Sequence, residues 1–202
     1  MSGMLGHNPN RVSDLPDDML VDRAQRNPAA FDAIFDRYWN PVLRYCYYRL
    51  GDWHDAEDAS AQVFLNALAA LPGFAFSAQP NAFKAWLFTI AFRVVSNFRR
   101  SEARHPRAPL EMAEDWIAPD DPLEDQAVAT EEHELLFRLI EQLKPEQRQL
   151  VELRLAGLTD AEIALVLGKS SVAIRKAQSR AVIALRSLLD ARTCGSGGEC
   201  HA

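Results

Sequence analysis

Cysteine is scarce in this chain: three in 202 residues, Cys46, Cys194 and Cys200. An odd, widely spaced set is a poor disulfide framework and points to a reducing compartment. Long apolar runs are missing as well. The stretch Trp86 to Phe92 is the longest, far short of the roughly 20 residues that span a bilayer, and the chain does not open on a basic start followed by an apolar run and a cleavage site. The expectation is a cytoplasmic protein without membrane insertion. Base is in deficit, with 22 Lys and Arg against 28 Asp and Glu and a net charge of −6, which excludes a simple polycation that coats nucleic acid. Signatures of catalysis are absent too. Gly168-Lys169-Ser170 looks like the end of a phosphate loop, but Ile163 stands where that loop has its first glycine; His133-Glu134 lacks a second histidine, and no serine or cysteine sits in a nucleophile motif. No catalytic residue and no cofactor is assigned, and the chain is expected not to be an enzyme.

What is present is a segregated pattern of charge. Between Ala108 and Phe137 lie ten acids, Glu111, Glu114, Asp115, Asp120, Asp121, Glu124, Asp125, Glu131, Glu132 and Glu134, with no Lys or Arg among them. Before this stretch Arg93, Arg99, Arg100, Arg104 and Arg107 face Glu102 alone. After it Lys169, Arg175, Lys176, Arg180, Arg186 and Arg192 face Asp190 alone. The acidic stretch also carries Pro106, Pro109, Pro119 and Pro122 within or beside it and few large apolar residues, so it buries too little surface to offset the entropy of ordering it. A domain boundary belongs there.

Outside the connector the periodicity is helical, and strand-like alternation is missing. Asp14 or Asp17 is placed to cap a helix ending near Arg26, and Pro28 suits the first turn of the next. Apolar residues recur at Phe31, Ile34, Phe35 and Tyr38, then at Val42, Tyr45, Cys46, Arg49 and Leu50. Further stripes follow at Ala56, Ala59, Val63, Ala67, Leu68 and Leu71, and at Phe83, Leu87, Ile90, Ala91, Val94 and Phe98. Beyond the connector, Leu135, Leu136, Leu139, Ile140 and Leu143 form a stripe that stops at Lys144-Pro145. Leu150, Val151, Leu153 and Leu155 give the next helix its core face, ended by Ala156-Gly157-Leu158. The predicted fold is all-α: two small helical domains, 14–104 and 131–190, joined by an acidic proline-containing linker over 105–130, with flexible ends at 1–13 and 191–202.

The sharpest local motif is Thr159-Asp160-Ala161-Glu162, a capping box opening a short helix from Ile163 to Leu167. Gly168 supplies a left-handed turn, Ser170 or Ser171 caps the following helix, and Ile174, Ala177, Ala181, Leu185, Leu188 and Leu189 form its buried stripe. This is a helix-turn-helix. Its second helix offers Arg175, Lys176, Gln178, Ser179 and Arg180 on the opposite face, as a recognition helix entering a major groove does. The last helix of the first domain is different in character, interleaving rings with bases: Phe83, Lys84, Trp86, Phe88, Phe92, Arg93, Asn97, Phe98, Arg99 and Arg100. Single strands bind such a mixture by stacking on rings while arginines follow the backbone, although Phe83, Leu87, Ile90 and Phe98 read as core.

Taken together the motifs resemble a sigma factor of bacterial RNA polymerase, of the small extracytoplasmic-function group that keeps only regions two and four. The resemblance covers roughly 14–189. It rests on Asp18-Met19-Leu20-Val21 with Ala30-Phe31-Asp32-Ala33-Ile34-Phe35, on Asp55-Ala56-Glu57-Asp58 followed by Val63-Phe64-Leu65, on Phe83-Lys84-Ala85-Trp86-Leu87-Phe88 with Ile90-Ala91, and on the helix-turn-helix. It implies that core RNA polymerase docks on Asp55, Asp58, Gln62, Phe64 and Leu65, although Ala61 and Gln62 stand where the family usually has a glutamine followed by an acid. It implies further that Phe76, Ser77, Asn81, Lys84 and Trp86 hold a base flipped from the minus-ten promoter element, with Arg93, Asn97, Arg99 and Arg100 nearer the duplex edge. Thr159, Ser170 and Ser171 would hold phosphates of the minus-thirty-five element, and Arg175, Lys176, Gln178, Ser179 and Arg180 would face its bases and backbone. An anti-sigma factor is a common partner in the resembled group.

A stand-alone helix-turn-helix regulator is the alternative, since its DNA-binding half would look much the same, but it has no use for the aromatic and basic helix of the first domain. Cys194, Cys200 and His201 could supply soft ligands to a metal; three ligands across a glycine-rich tail favour incidental thiols. Cys46, on an apolar stripe, is expected in the core.

Overall fold

The computed structural model describes residues 15–76, 81–104 and 135–196. The linker expected over 105–130 and the N-terminal segment 1–13 lie outside these residues. Helix α1 spans Asp17–Arg26 and a short 3-10 turn Pro28–Phe31 leads into α2, Asp32–Leu50; α3 spans Trp53–Ala70, a second 3-10 turn Leu71–Gly73 follows, and α4 spans Ala82–Arg104. In the second module α5 covers 135–141, then α6 spans Pro145–Leu155, α7 Asp160–Leu167 and α8 Ser171–Ser196. The described residues hold helices and turns and no strand.

Several local expectations change on inspection. Pro16 rather than an aspartate precedes α1. The Asp17 carboxylate instead crosses to α2, where it accepts from Arg37 Nη1 at 2.6 Å and from the Tyr38 hydroxyl. The stripes Phe31–Tyr38 and Val42–Leu50 merge into one helix that runs through Pro41. An interior proline costs about 3 kcal/mol; Val42 and Cys46 at 0% exposure and Tyr45 at 1% bury enough surface to offset it. Cys46 is indeed core, and burial pushes its thiol up to about 12, against a hydrogen bond with Ser60 that pulls it down. At the other end α8 continues past Asp190 to Ser196, because propagating a helix is cheap once nucleated and no glycine or proline occurs before Gly195.

The two helical modules do not stand apart. One continuous apolar cluster includes Leu20, Ile34, Tyr45, Phe83 and Leu87 of the first together with Leu153, Ile163, Ala164 and Val166 of the second, and α4 packs on α7 while α2 packs on α6. Phe137 of α5 reaches the Tyr47 ring, 6.1 Å between centroids, and lies so close to Gly51 that a Cβ there would sit 3.1 Å from its Cζ. Gly51 also ends α2 at φ 78°, with its N–H on the Tyr47 carbonyl. Only glycine suits both demands at that point.

Inside this contact lies an ion cluster. Glu152 of α6, 0% exposed, accepts from Arg49 Nη1 at 2.7 Å through one oxygen and from Arg148 Nε at 2.7 Å through the other. Burial raises the Glu152 carboxyl above the usual carboxylate range while the two guanidiniums pull it down. Arg49 is itself 5% exposed in its side chain, so removing it strands a buried charge on its partner. We expect Arg49→Met to cost about 3 kcal/mol in urea-induced unfolding, and the double change Arg49→Met with Glu152→Leu to recover most of that loss. A single variant as stable as the parent would show that the pair contributes nothing.

Candidate nucleic-acid and polymerase interface

Three surfaces carry the residues singled out by the sequence. On α3 the Asp52 side chain caps the helix by accepting the Asp55 N–H at 2.9 Å, which holds the half-buried Asp55 in the first turn. Asp58, Gln62 and Leu65 follow at helical spacing on the exposed face, Leu65 at 62%, and Gln62 Nε2 donates to Asn66 Oδ1 at 2.9 Å. Phe64 points the other way. It is 4% exposed and packs edge-on to Phe31 at 6.3 Å and against Phe35 at 4.9 Å, because it shares the core face with Val63 and Ala67. Periodicity could have separated Phe64 from Leu65, and it also exposes Leu68 at 38%, a residue assigned to the core stripe. Phe35, stacked on Trp39 and 37% exposed, is a further apolar side chain at this end of the module.

The second surface is the turn between α3 and α4. Phe74 makes ring contacts with Phe76 at 5.6 Å, Phe83 at 5.6 Å and Trp86 at 5.1 Å, leaving Phe76 49% exposed at the rim and Trp86 half-buried. Asn81 takes φ 59°, a left-handed conformation that asparagine tolerates better than most residues, so the chain turns there into α4. Ser77 lies outside the described residues. Arg93, Asn97, Arg99 and Arg100 are exposed along α4, with Arg100 Nη1 donating to Asn97 Oδ1 at 3.3 Å. Lys84 faces inward: its ammonium donates to the Gly157 carbonyl at 2.6 Å and lies 3.4 Å from Glu162 Oε2. The first module's candidate strand-binding lysine is thereby engaged by the second module.

The third surface is the helix-turn-helix, which forms as its residues indicate. Thr159 Oγ1 accepts the Glu162 N–H at 3.3 Å and Glu162 Oε2 accepts the Thr159 N–H at 2.7 Å. Gly168 ends α7 at φ 63°, and Ser170, not Ser171, supplies the cap of α8 by accepting the Ala173 N–H at 3.2 Å. Ser171, Arg175, Lys176, Ser179 and Arg180 are exposed. Gln178 is half-buried, and its side-chain oxygen accepts from Arg154 Nη2 at 3.1 Å. Arg154 also donates to Asp160 and, at 2.9 Å, to the Leu158 carbonyl, tying α6, α7 and α8 together. Sequence reasoning missed Arg154; a lone arginine beside Leu153 and Leu155, six residues before the acid that opens α7, was the available signal. Cys200 and His201 lie outside the described residues, as does the rest of the tail from 197.

Comparison with known proteins adds the following. The Sigma-70 region 2 family model matches residues 34–105 and the Sigma-70, region 4 model matches 133–185. The chain is 39% identical over 178 residues to the ECF RNA polymerase sigma factor BldN of Streptomyces coelicolor, covering 86% of this chain and 66% of that protein. It is 36% identical over 181 residues to the ECF RNA polymerase sigma factor ShbA of Streptomyces griseus, covering 85% of this chain and 94% of that protein. Among solved structures, CnrH in complex with the cytosolic domain of CnrY superposes with a TM-score of 0.66 at 25% identity, over 87% of this chain and 97% of that one.

The capping box makes a stability prediction of its own. Thr159→Ala removes the acceptor for the Glu162 amide and is expected to cost about 1 kcal/mol, read as a lower midpoint in thermal unfolding. An unchanged midpoint would mean that Glu162 alone holds the turn.

Proposed function

This chain belongs to the sigma-70 family, in its extracytoplasmic-function group, and from that premise we propose how its surfaces divide the work. As a sigma factor it binds core RNA polymerase and directs promoter recognition and the start of transcription; the family performs no chemistry of its own. The α3 face with Asp58, Gln62 and Leu65 docks on the polymerase. The rim of Phe76, Asn81 and Trp86 receives an extruded minus-ten base, offsetting the few kcal/mol of unstacking, while Arg93, Asn97, Arg99 and Arg100 follow the adjoining backbone. In the second module Ser171, Arg175, Lys176, Ser179 and Arg180 meet the minus-thirty-five duplex, Gln178 being oriented by Arg154. The observation that carries this reading is the joint presence of an exposed docking face and aromatic rim in one module and a capped helix-turn-helix with a basic helix in the other. A stand-alone regulator would need only the last of these.

Charge accounts for the dependence on polymerase. A chain of net charge −6 gains little from counterion release, so tight binding requires the enzyme to hold both modules at promoter spacing and convert the second contact into an intramolecular one. The two promoter elements lie about two and a half duplex turns apart, on the order of 80 Å. Modules packed through α4 and α7 cannot cover that span, and Lys84 cannot serve a DNA strand while it serves Gly157. The packed form is therefore the free one, and the modules part on promoter DNA. A protein partner could favour the packed form, as CnrY accompanies CnrH in the solved complex.

Run-off transcription with purified core polymerase tests the assignment: the chain should confer start-site selection. Leu65→Glu should weaken core binding at least tenfold, while Arg175→Ala should leave core binding intact and weaken promoter binding tenfold or more. Failure of the parent chain to associate with core enzyme would overturn the reading. The opening is checked by energy transfer between dyes at position 36 on α2 and position 186 on α8, both exposed: efficiency should fall when holoenzyme engages promoter DNA. Unchanged transfer in the promoter complex would show that the modules do not separate.

A further inference from the structure

Gln25 lies on α1, remote in sequence from every surface described above, and is half-buried. Its side-chain amide nitrogen donates to the Leu71 carbonyl at 2.9 Å and to the Phe74 carbonyl at 2.8 Å, across separations of 46 and 49 residues. Both protons of one neutral nitrogen are thus committed to the first residue of the turn Leu71–Gly73 and to Phe74, the residue that follows it, where the chain leaves α3. The Phe74 N–H already donates to the Leu71 carbonyl at 3.0 Å, so the turn is closed from within and pinned from α1. Carboxamides offer two donors on one uncharged nitrogen; serine and threonine offer one, and lysine would bring a charge into a half-buried site.

The pinned residue is the hub of the aromatic rim. Phe74 touches Phe76, Phe83 and Trp86, and of these Phe83 is locked at 3% exposure while Phe76 stands 49% exposed. The backbone from Phe74 to Phe76 therefore decides where the exposed ring stands, and Gln25 holds the carbonyl at its first residue. At the far side the left-handed Asn81 sets the re-entry into α4. A pocket that discriminates between bases needs its walls fixed to within about half an ångström, and among the described residues Gln25 is the side chain that ties this turn to another helix.

We infer that Gln25 is a positioning residue for the minus-ten pocket: it touches no DNA but fixes the loop through the Leu71 and Phe74 carbonyls, and so sets which base is accepted. The inference rests on the assignment of the Phe76 rim to base binding. Gln25→Leu keeps the volume and removes both donors; Gln25→Glu puts acceptor oxygens against two carbonyls.

The test uses holoenzyme assembled with core polymerase and single-stranded non-template oligonucleotides randomised over the minus-ten segment, with the bound fraction sequenced. The parent should show a strong preference at one position, and both variants should flatten that preference about tenfold while core binding stays near the parent's and the thermal midpoint falls by no more than the loss of two hydrogen bonds accounts for. Phe76→Ala serves as the separate control, expected to abolish single-strand binding. Equal loss of affinity for all four bases in the Gln25 variants, or no change, would overturn the positioning role; unaltered single-strand binding by Phe76→Ala would overturn the pocket assignment instead. Should Gln25→Leu fold poorly, Gln25→Asn, a neutral carboxamide one methylene too short to reach both carbonyls, carries the measurement, and retention of full base preference in it refutes the inference.

Discussion

A carboxylate taken wholly out of water is tolerated only if opposite charge and hydrogen bonds replace its hydration, and in this protein that requirement joins two modules. Glu152 is on α6 of the second module, but one of its two guanidinium partners, Arg49, comes from α2 of the first. Glu162 repeats the arrangement on a smaller scale. It belongs to the capping box of the helix-turn-helix, and the Lys84 ammonium approaches it from α4. Around these polar points the apolar cluster is continuous, so the modules share a core as well as charges.

This sharing bears on how a sigma factor of such small size is managed. In the proposed reading Lys84 is the point of overlap: it holds the Gly157 carbonyl and approaches Glu162 in the packed form, and it stands on the helix proposed to meet the promoter strand. Buried ion pairs suit a contact proposed to open, since their desolvation offsets much of their attraction and separated groups regain solvation.

Much of the helical framework was legible because its determinants are local. The capping box at Thr159 and the left-handed Gly168 each act within one turn and appear as the residues indicate; the cap of α8, left between Ser170 and Ser171 by the sequence, falls to Ser170. The helix runs unbroken through Pro41 because the burial that offsets the proline involves α3, α4 and α6. The same holds at the sites. Periodicity separates the outward Leu65 from the inward Phe64, which shares a face with Val63 and Ala67, but the engagement of Gln178 by Arg154 depends on how α6 crosses α8. Gln25 carries no local mark at all; its importance comes from two carbonyls nearly fifty residues away.

From sequence alone come the all-helical class and the two-part division around an acidic connector, which depend on composition and 3.6-residue periodicity, and the family, which was reached through the resemblance of its motifs. The tertiary structure decided that the two parts share one core, that Arg49 pairs with Glu152 and Lys84 with Gly157 and Glu162, and that α1 pins the turn before α4. Pairings of that kind follow from which helix faces meet in space. Residues one hundred and three positions apart in the case of Arg49 and Glu152 leave no periodic trace of their encounter.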